Sequence, residues 1–480
     1  MNTDSRAITA ANELRGLLVP ERALVSGPSY DEAVRIWNGA VDHRPALIVR
    51  PGTPAEAQAA ILTARNHHLP LSVRGGGHDW AGRALRPGAL VIDLTGMRYV
   101  GVDAESRTAI VGGGATAREV VAATEPYGLV AATGTCGAVG MAGLTLAGGY
   151  GPLNGRFGLA LDNLVSADVA LADGGLVTAG AADEPELFWA VRGGGGNFGV
   201  VTSLRVRLHP VHRLLAGFIL FPLAQASSVW EGLGAVLADG PEELTVQSGI
   251  LSGPDGDPLL FLSPAWSGDP VAGEKAIDQL LQLGSPLISQ VAPMAYAEML
   301  GLFDAYVVDG RHYAIRTRTV PDFSPDVISA LLEAGSTRTS PYAGIYIHHF
   351  HGAAARVPSD ATAFGIRRPH FVVEIVAGWE PCDGDGARHR AWADSVSATL
   401  APSALAGGYP NLLGPEDHEQ ITHAYGQNAA RLLAAKAHFD PSGIFSATPL
   451  PPAPATSGAA HPPCHTRGKR GHIAGGSGGG

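Results

Sequence analysis

RGGGHDWAG (Arg74–Gly82) and GTCGAVGMAGLTLAGGYG (Gly134–Gly151) are the stretches that decide how this chain is built. A third glycine-rich run, VRGGGGNFGVVTS (Val191–Ser203), and the tripeptide Leu161-Asp162-Asn163 lie further on. Glycine runs expose backbone N–H groups and let the chain approach a ligand closely, which is how a protein wraps a pyrophosphate without a lysine. One such run alone reads equally well as a tight turn. Three long runs within 130 residues point to a large phosphate-bearing cofactor. The Rossmann alternative lacks its G-x-G-x-x-G after a first strand with an acidic residue about 20 positions on, and no P-loop is present.

Around these runs the pattern is mixed α+β. ALIVRPGTPAEAQAAILTARN (46–66) reads as a strand, a Pro-Gly turn, a threonine N-cap and an amphipathic helix. Short strands follow in LSVRGGG, LVIDL and TAIVGGG, then a helix in ATAREVVAATEPYG. Strand-like LVSADVALADGGLVTA, helical ELFWAVRG and the strand VVTSLRVRLHP close the first region near Pro210. Residues 211–404 differ: alternating strands such as GIYIHHFHG and HFVVEIVAGW, separated by helices, predict one half-buried antiparallel sheet covered by helices. Residues 405–447 return to tight turns and one long helix, THAYGQNAARLLAAKAHF, stopped by Asp440 and Pro441. From Pro449 onward the chain is rich in Pro, Gly and His, so 451–480 reads as a disordered tail.

Taken singly, His78 reads as an ordinary histidine and Cys136 as a small buried hydrophobe. Together, RGGGHDWAG and, 58 residues after its histidine, Cys136 in GTCGAVGMAG resemble the flavin-attachment pair of the berberine bridge enzyme-like oxidases of the vanillyl-alcohol oxidase superfamily. The resemblance runs from Arg44-Pro45-Ala46-Leu47 through VRGGGGNFGVVT, and resumes at Thr362-Ala363-Phe364 and YGQNAARLLAAKAHFDPSGIF. It implies a two-part α+β FAD-binding domain of the p-cresol methylhydroxylase type, residues 1–210 plus 405–450. An antiparallel-sheet substrate domain, 211–404, would cap it. His78 would carry the FAD isoalloxazine through its 8α-methyl group, and Cys136 would add a thioether at C6. Arg74, Gly75, Gly76 and Gly77, with Gly134, Thr135, Gly137, Val139, Gly140 and Gly143, would cradle the pyrophosphate. Gly195, Asn197, Gly199, Val200 and Val201 would lie along the adenosine end. Asn163, Tyr409 and Asn411 would sit near the ring, and the turn Gly148-Gly149 would bring Tyr150 there too. The Cys136 context departs from the usual Cys-Pro-Thr-Val-Gly, and single-linkage relatives keep only the histidine.

Such chemistry needs a group to take a proton from the substrate while its C–H bond is held against the flavin. Many members carry Tyr-x-Asn-Tyr for this, but here the segment reads Tyr409-Pro410-Asn411-Leu412, and leucine cannot accept a proton. The strand GIYIHHFHG offers replacements. A period of two puts Ile345, Ile347, His349 and His351 on one face and Tyr346, His348 and Phe350 on the other. Imidazole, with an ordinary pKa of about 6.5, is better placed near neutrality than a phenol at about 10, and His349 and His351 are the expected candidates. On the next strand Glu374, sharing a face with His370 and Val372, is either a paired structural charge or a base. Tyr150 is a fourth candidate. Asp79 and Trp80 would orient the attachment loop.

The remaining readings are bounds. A 480-residue chain with 45% hydrophobic residues can build two cores. A formal charge of -11 argues against nucleic acid. Cys136, Cys382 and Cys464 are too scattered for a disulfide framework or a metal site. Only three of 33 basic residues are lysines, a hint of a GC-rich bacterial source. Neither a secretory signal nor a membrane span is visible at the N-terminus, which makes a cytoplasmic location the default. The expected function is an oxidase that moves a hydride from a small organic substrate, an alcohol, sugar or secondary metabolite, to FAD and then to dioxygen, giving hydrogen peroxide. Alternatives are a flavin dehydrogenase or oxygenase with another acceptor, or a flavin-containing protein that sequesters a small molecule. Oligomeric state is not legible.

Overall fold

The computed structural model describes residues 3–452 and 478–480; the predicted tail falls almost wholly outside the described residues. The glycine-rich first half forms two sheets. In the first, Leu47–Val49, Leu90–Asp93 and Leu71–Arg74 run parallel, with Ala23–Leu24 antiparallel at one edge. The crossover helix Pro54–Asn66 forms where predicted: the Thr53 hydroxyl accepts from the Glu56 N–H at 3.2 Å, and Ala57, Ala60, Ile61 and Ala64 are buried. The second sheet is antiparallel and centred on the 11-residue strand Val200–Pro210, which pairs with Thr108–Gly112 on one side and Leu164–Ala170 on the other.

The second half is a seven-stranded antiparallel sheet, in the order Ile288–Met294, Leu214–Pro222, Pro258–Trp266, Leu244–Ser252, Gly344–Phe350, His370–Trp379, His312–Val320. Its side chains sort by period two. Ile250, Ile345, Ile347, Val373 and Ile375 pack with Trp230, Leu233, Leu331 and Trp392 from helices Ala226–Ala238, Pro325–Ser336 and Ala387–Leu400. Tyr346, His348 and Glu374 alternate with those isoleucines and valine and take the other face. The α+β expectation, with one antiparallel sheet covered by helices, is met.

One predicted element is corrected. The single long helix expected from Thr422 to Phe439 is two, His418–His423 and Ala429–Phe439. Gly426 between them has φ 49°, a left-handed conformation that no continuous helix passes through. The second helix returns the chain to the first half: the Lys436 ammonium donates to the Asn197 carbonyl at 2.8 Å and pairs with Asp440 at 2.5 Å. No helix among the described residues is long and apolar enough to cross a membrane.

Candidate functional site

A cavity of about 350 Å3 lies between the glycine-rich loops and the helix-free face of the seven-stranded sheet. Its floor shows why glycine is required. A Cβ on Gly76 would lie 2.5 Å from the Gly140 nitrogen, so the two loops meet backbone to backbone with no room for a side chain. Gly75, Gly76, Gly77, Gly134, Thr135, Val139, Gly140 and Gly143 all line the cavity. At the far end Gly199 and Val201 are joined by Gly196 of the same run and by Phe445–Thr448; these last four the sequence reading did not single out.

His78 and Cys136 open on this same space. The His78 ring stacks on Trp37 at 4.4 Å and 11°, and Trp37 stacks on Tyr313 of the cap at 4.1 Å and 15°. Burial lowers the His78 pKa to about 4, which leaves a neutral imidazole. Its Nε2 is buried and has no hydrogen-bond partner among the described residues. A buried ring nitrogen without a partner is costly unless another group takes it, and a cofactor held at this nitrogen would meet that need. The Cys136 thiol is half-buried, and burial raises its pKa. The loop after His78 is clamped to the 409–413 segment. Asp79 pairs with Arg83, Arg83 donates to the Asn411 carbonyl at 2.8 Å, and the Trp80 indole donates to the Leu412 carbonyl at 3.1 Å.

The ceiling holds the titratable groups. Glu374 and His348 meet at 3.1 Å, Nε2 to Oε2, and both line the cavity with Tyr346, Tyr150, Tyr409 and Gln247. Burial, then the negative charge of Glu374, pushes the Tyr346 phenol up. The Tyr409 hydroxyl accepts from the Gly149 N–H at 3.0 Å and lies 3.2 Å from the Asn411 amide; burial pushes it up to about 12. The tautomer of His370 follows from its partners. Its Nδ1 faces the Arg368 carbonyl at 2.7 Å and must donate, so Nε2 accepts the Tyr150 hydroxyl proton at 2.9 Å. Burial raises Tyr150 well above the ordinary phenol value and lowers His370 to about 4. That pair is ill-suited to collecting a proton near neutrality.

Several expected residues stand elsewhere. His349 and His351 do not line this cavity; they stack on each other at 3.8 Å and 1°, with Phe371 beside His349. The face expected for them was the wrong one, because Ile345 and Ile347, which share it, pack under the helices. His348, on the opposite face, is the histidine the cavity meets. Asn163 is held away from the cavity: its amide donates to the Phe157 and Leu159 carbonyls at 2.9 Å, and its oxygen faces His209 Nε2 at 2.6 Å. Arg74, Gly137, Gly148, Gly149, Gly195, Asn197 and Val200 support the walls rather than line them. Thus the Asn197 amide donates to the Gly194 and Thr448 carbonyls, and Arg74 donates to the Ala33 carbonyl at 2.6 Å.

The buried histidines set an acid limit. His209, His351 and His370 sit at about 4 in the fold, each lowered chiefly by burial, against an ordinary 6.5. Between those values the unfolded chain binds protons that the native chain does not, so stability is lost as pH falls through that window. Urea midpoints measured from pH 7 to 4 should fall steadily; a flat profile would show these rings to be charged in the fold.

Comparison with known proteins agrees with this geometry. The FAD binding domain family matches residues 45–180. The FAD-linked oxidoreductase aurO of Gibberella zeae is 30% identical over 424 residues, 88% of this chain and 83% of that protein. The xylooligosaccharide oxidase of Thermothelomyces thermophilus is 31% identical over 442 residues, 85% of this chain and 87% of that one. The crystal structure of 6-hydroxy-D-nicotine oxidase from Arthrobacter nicotinovorans superposes with a TM-score of 0.81 at 27% identity, covering 89% of this chain and 96% of that one. A berberine bridge enzyme variant shares the fold with a TM-score of 0.80 at 23% identity, covering 90% and 97%. At 30% identity over 88% of its length, the chain belongs to the family of FAD-linked oxidoreductases.

Proposed function

We propose that this enzyme oxidises a small organic alcohol or amine at the cavity, with FAD tethered to His78 and Cys136 and dioxygen as the final acceptor. Residues 1–210 and 405–450 would hold the cofactor, and 211–404 would supply the substrate walls. The observation that carries the reading is the Glu374–His348 pair, set in the ceiling of the cavity on which His78 and Cys136 open. Bound FAD supplies the two-electron acceptor. Glu374 takes the proton from the substrate O–H or N–H as the adjacent C–H bond gives up its hydride, and His348 Nε2 orients the carboxylate by donating to it. Leu412 leaves this task to the sheet. Phe303, Tyr306, Val307, Ile315 and Val376 line the same cavity and exclude water from it.

The test is anaerobic mixing of the FAD-loaded protein with xylobiose, 6-hydroxynicotine, benzyl alcohol and coniferyl alcohol. Bleaching of the flavin by one of them, followed by recolouring and peroxide on admitting air, is the expected result. Binding without bleaching by every compound would favour sequestration, and bleaching without peroxide another acceptor. Tethering is read separately, from the intact mass of acid-denatured protein and peptide mapping. One FAD joining the His78 and Cys136 peptides is expected, and release of all FAD would sink the covalent reading.

A further inference from the structure

Behind His348 the sheet splits. The strands Leu244–Ser252 and Gly344–Phe350 pair only from Ser248–Ile347 to Ile250–Ile345. Beyond that point Asn154 bridges them instead, donating to the His349 carbonyl at 2.8 Å and accepting from the Thr245 hydroxyl at 3.5 Å. A second cavity of about 20 Å3 opens in the split, lined by Thr245, Gln247, Ser263, His348 and His349 among others. His348, Gln247, Thr135 and Phe303 line both cavities, so this small space backs directly onto the site.

Two of its lining groups are anomalous. Ser263 Oγ and His349 Nδ1 have no hydrogen-bond partner among the described residues, although Ser263 is 2% and His349 5% exposed. Buried polar atoms are almost always paired. A space of this size holds one water, and buried waters use two to four polar partners. On the outer side, the Thr245 hydroxyl lies 3.2 Å from Nε2 of His351, which retains 8% exposure.

We propose that a single water is bound between Ser263 and His349 and that, lying against His348, it holds in place the imidazole that orients Glu374. The second half rests on the reading of Glu374 as proton acceptor; no proton or electron passes through the water. His349 suits the task because burial and the neighbouring His351 ring keep it neutral, with one donor and one acceptor nitrogen. His349 and Ser263 are therefore positioning residues.

A crystal structure of the FAD-loaded protein that resolves buried water tests the site. One ordered water within hydrogen-bond reach of Ser263 Oγ and His349 Nδ1 is expected, and a dry cavity overturns it. The positioning role is read with whichever compound of the panel bleaches the flavin. His349→Phe should slow anaerobic bleaching roughly tenfold, less than the ~10²–10⁴-fold that a positioned base itself supplies. His349→Gln, which keeps a polar atom in the split, should restore most of the rate; Ser263→Ala is the alternative if the phenylalanine variant does not fold. A wild-type rate in His349→Phe, or equal losses in His349→Phe and His349→Gln, overturns the positioning role. If no compound bleaches the flavin, that role falls with the proposed function while the crystallographic water still decides the site.

Discussion

Glu374→Gln is expected to slow anaerobic flavin bleaching by about 10²–10⁴-fold, the range that a positioned general base supplies, with little change in substrate affinity. The amide oxygen can still accept from His348 Nε2, which now lies 3.1 Å from the carboxylate, so the local geometry survives. What is lost is the capacity to take up a proton. The strand that carries Glu374 is paired from His370 to Val376 with Gly344–Phe350, and Glu374 lies opposite Tyr346 in that ladder. The melting temperature should therefore stay close to that of the parent. Glu374→Asp should fall between the two, because a carboxylate one methylene shorter no longer reaches the same point. Bleaching of Glu374→Gln at the parent rate would remove Glu374 from the chemistry and return Tyr150 to contention.

The largest loss of stability is expected at a residue outside the cavity lining. Asp162 accepts two bonds from Arg367, at 2.9 and 2.8 Å, and a third from the Leu159 N–H at 2.9 Å. The two side chains are 9% and 3% exposed. Asp162→Ala strands a buried guanidinium and should cost about 3–5 kcal/mol, as breaking a buried pair from one side does. Asp162→Ala combined with Arg367→Met should recover much of it, because both charges are then gone. Thermal melts of the three variants check this; a double variant no better than the single one would contradict the account. The damage should also reach the site. The same turn holds Gly148 and Gly149 through the Leu161 and Ala160 N–H groups at 3.0 and 3.1 Å, and Gly149 in turn holds the Tyr409 hydroxyl.

What could be read beforehand divides along a physical line. The threonine-capped helix Pro54–Asn66 and the helix Ala117–Thr124 are local, so sequence spacing alone placed them. The glycine runs were legible because their requirement is steric and severe. The cap's ceiling was harder. Period two separated the faces of Gly344–Phe350 correctly, but choosing between them depended on which one the helices cover. Ile345 and Ile347, on the same face as His349, carry that signal. Asn163 gave no local sign of its distant partner, His209, and Ser446–Thr448 come within reach of the cavity only because the last helix folds back on the first half. Gly426 was visible as a glycine, yet one glycine inside a helical pattern is often tolerated.

The Trp37 stack sets a gauge between the two halves of the enzyme. Because Trp37 lies flat between His78 and Tyr313, the spacing from His78 to the seven-stranded sheet is fixed by the thickness of aromatic rings. Rings do not compress, and they do not depend on how the rest of the wall is furnished. Val307 adjoins Val308, whose backbone holds the Tyr313 hydroxyl at 3.0 and 2.9 Å, and so belongs to the gauge. Phe303 packs instead with Leu251 and Phe261, and Tyr306 lies against that cluster, so those two can be exchanged to admit differently shaped guests without altering the clearance at which those guests are presented. A library confined to those two positions should change what the enzyme accepts while keeping the spacing set by the stack.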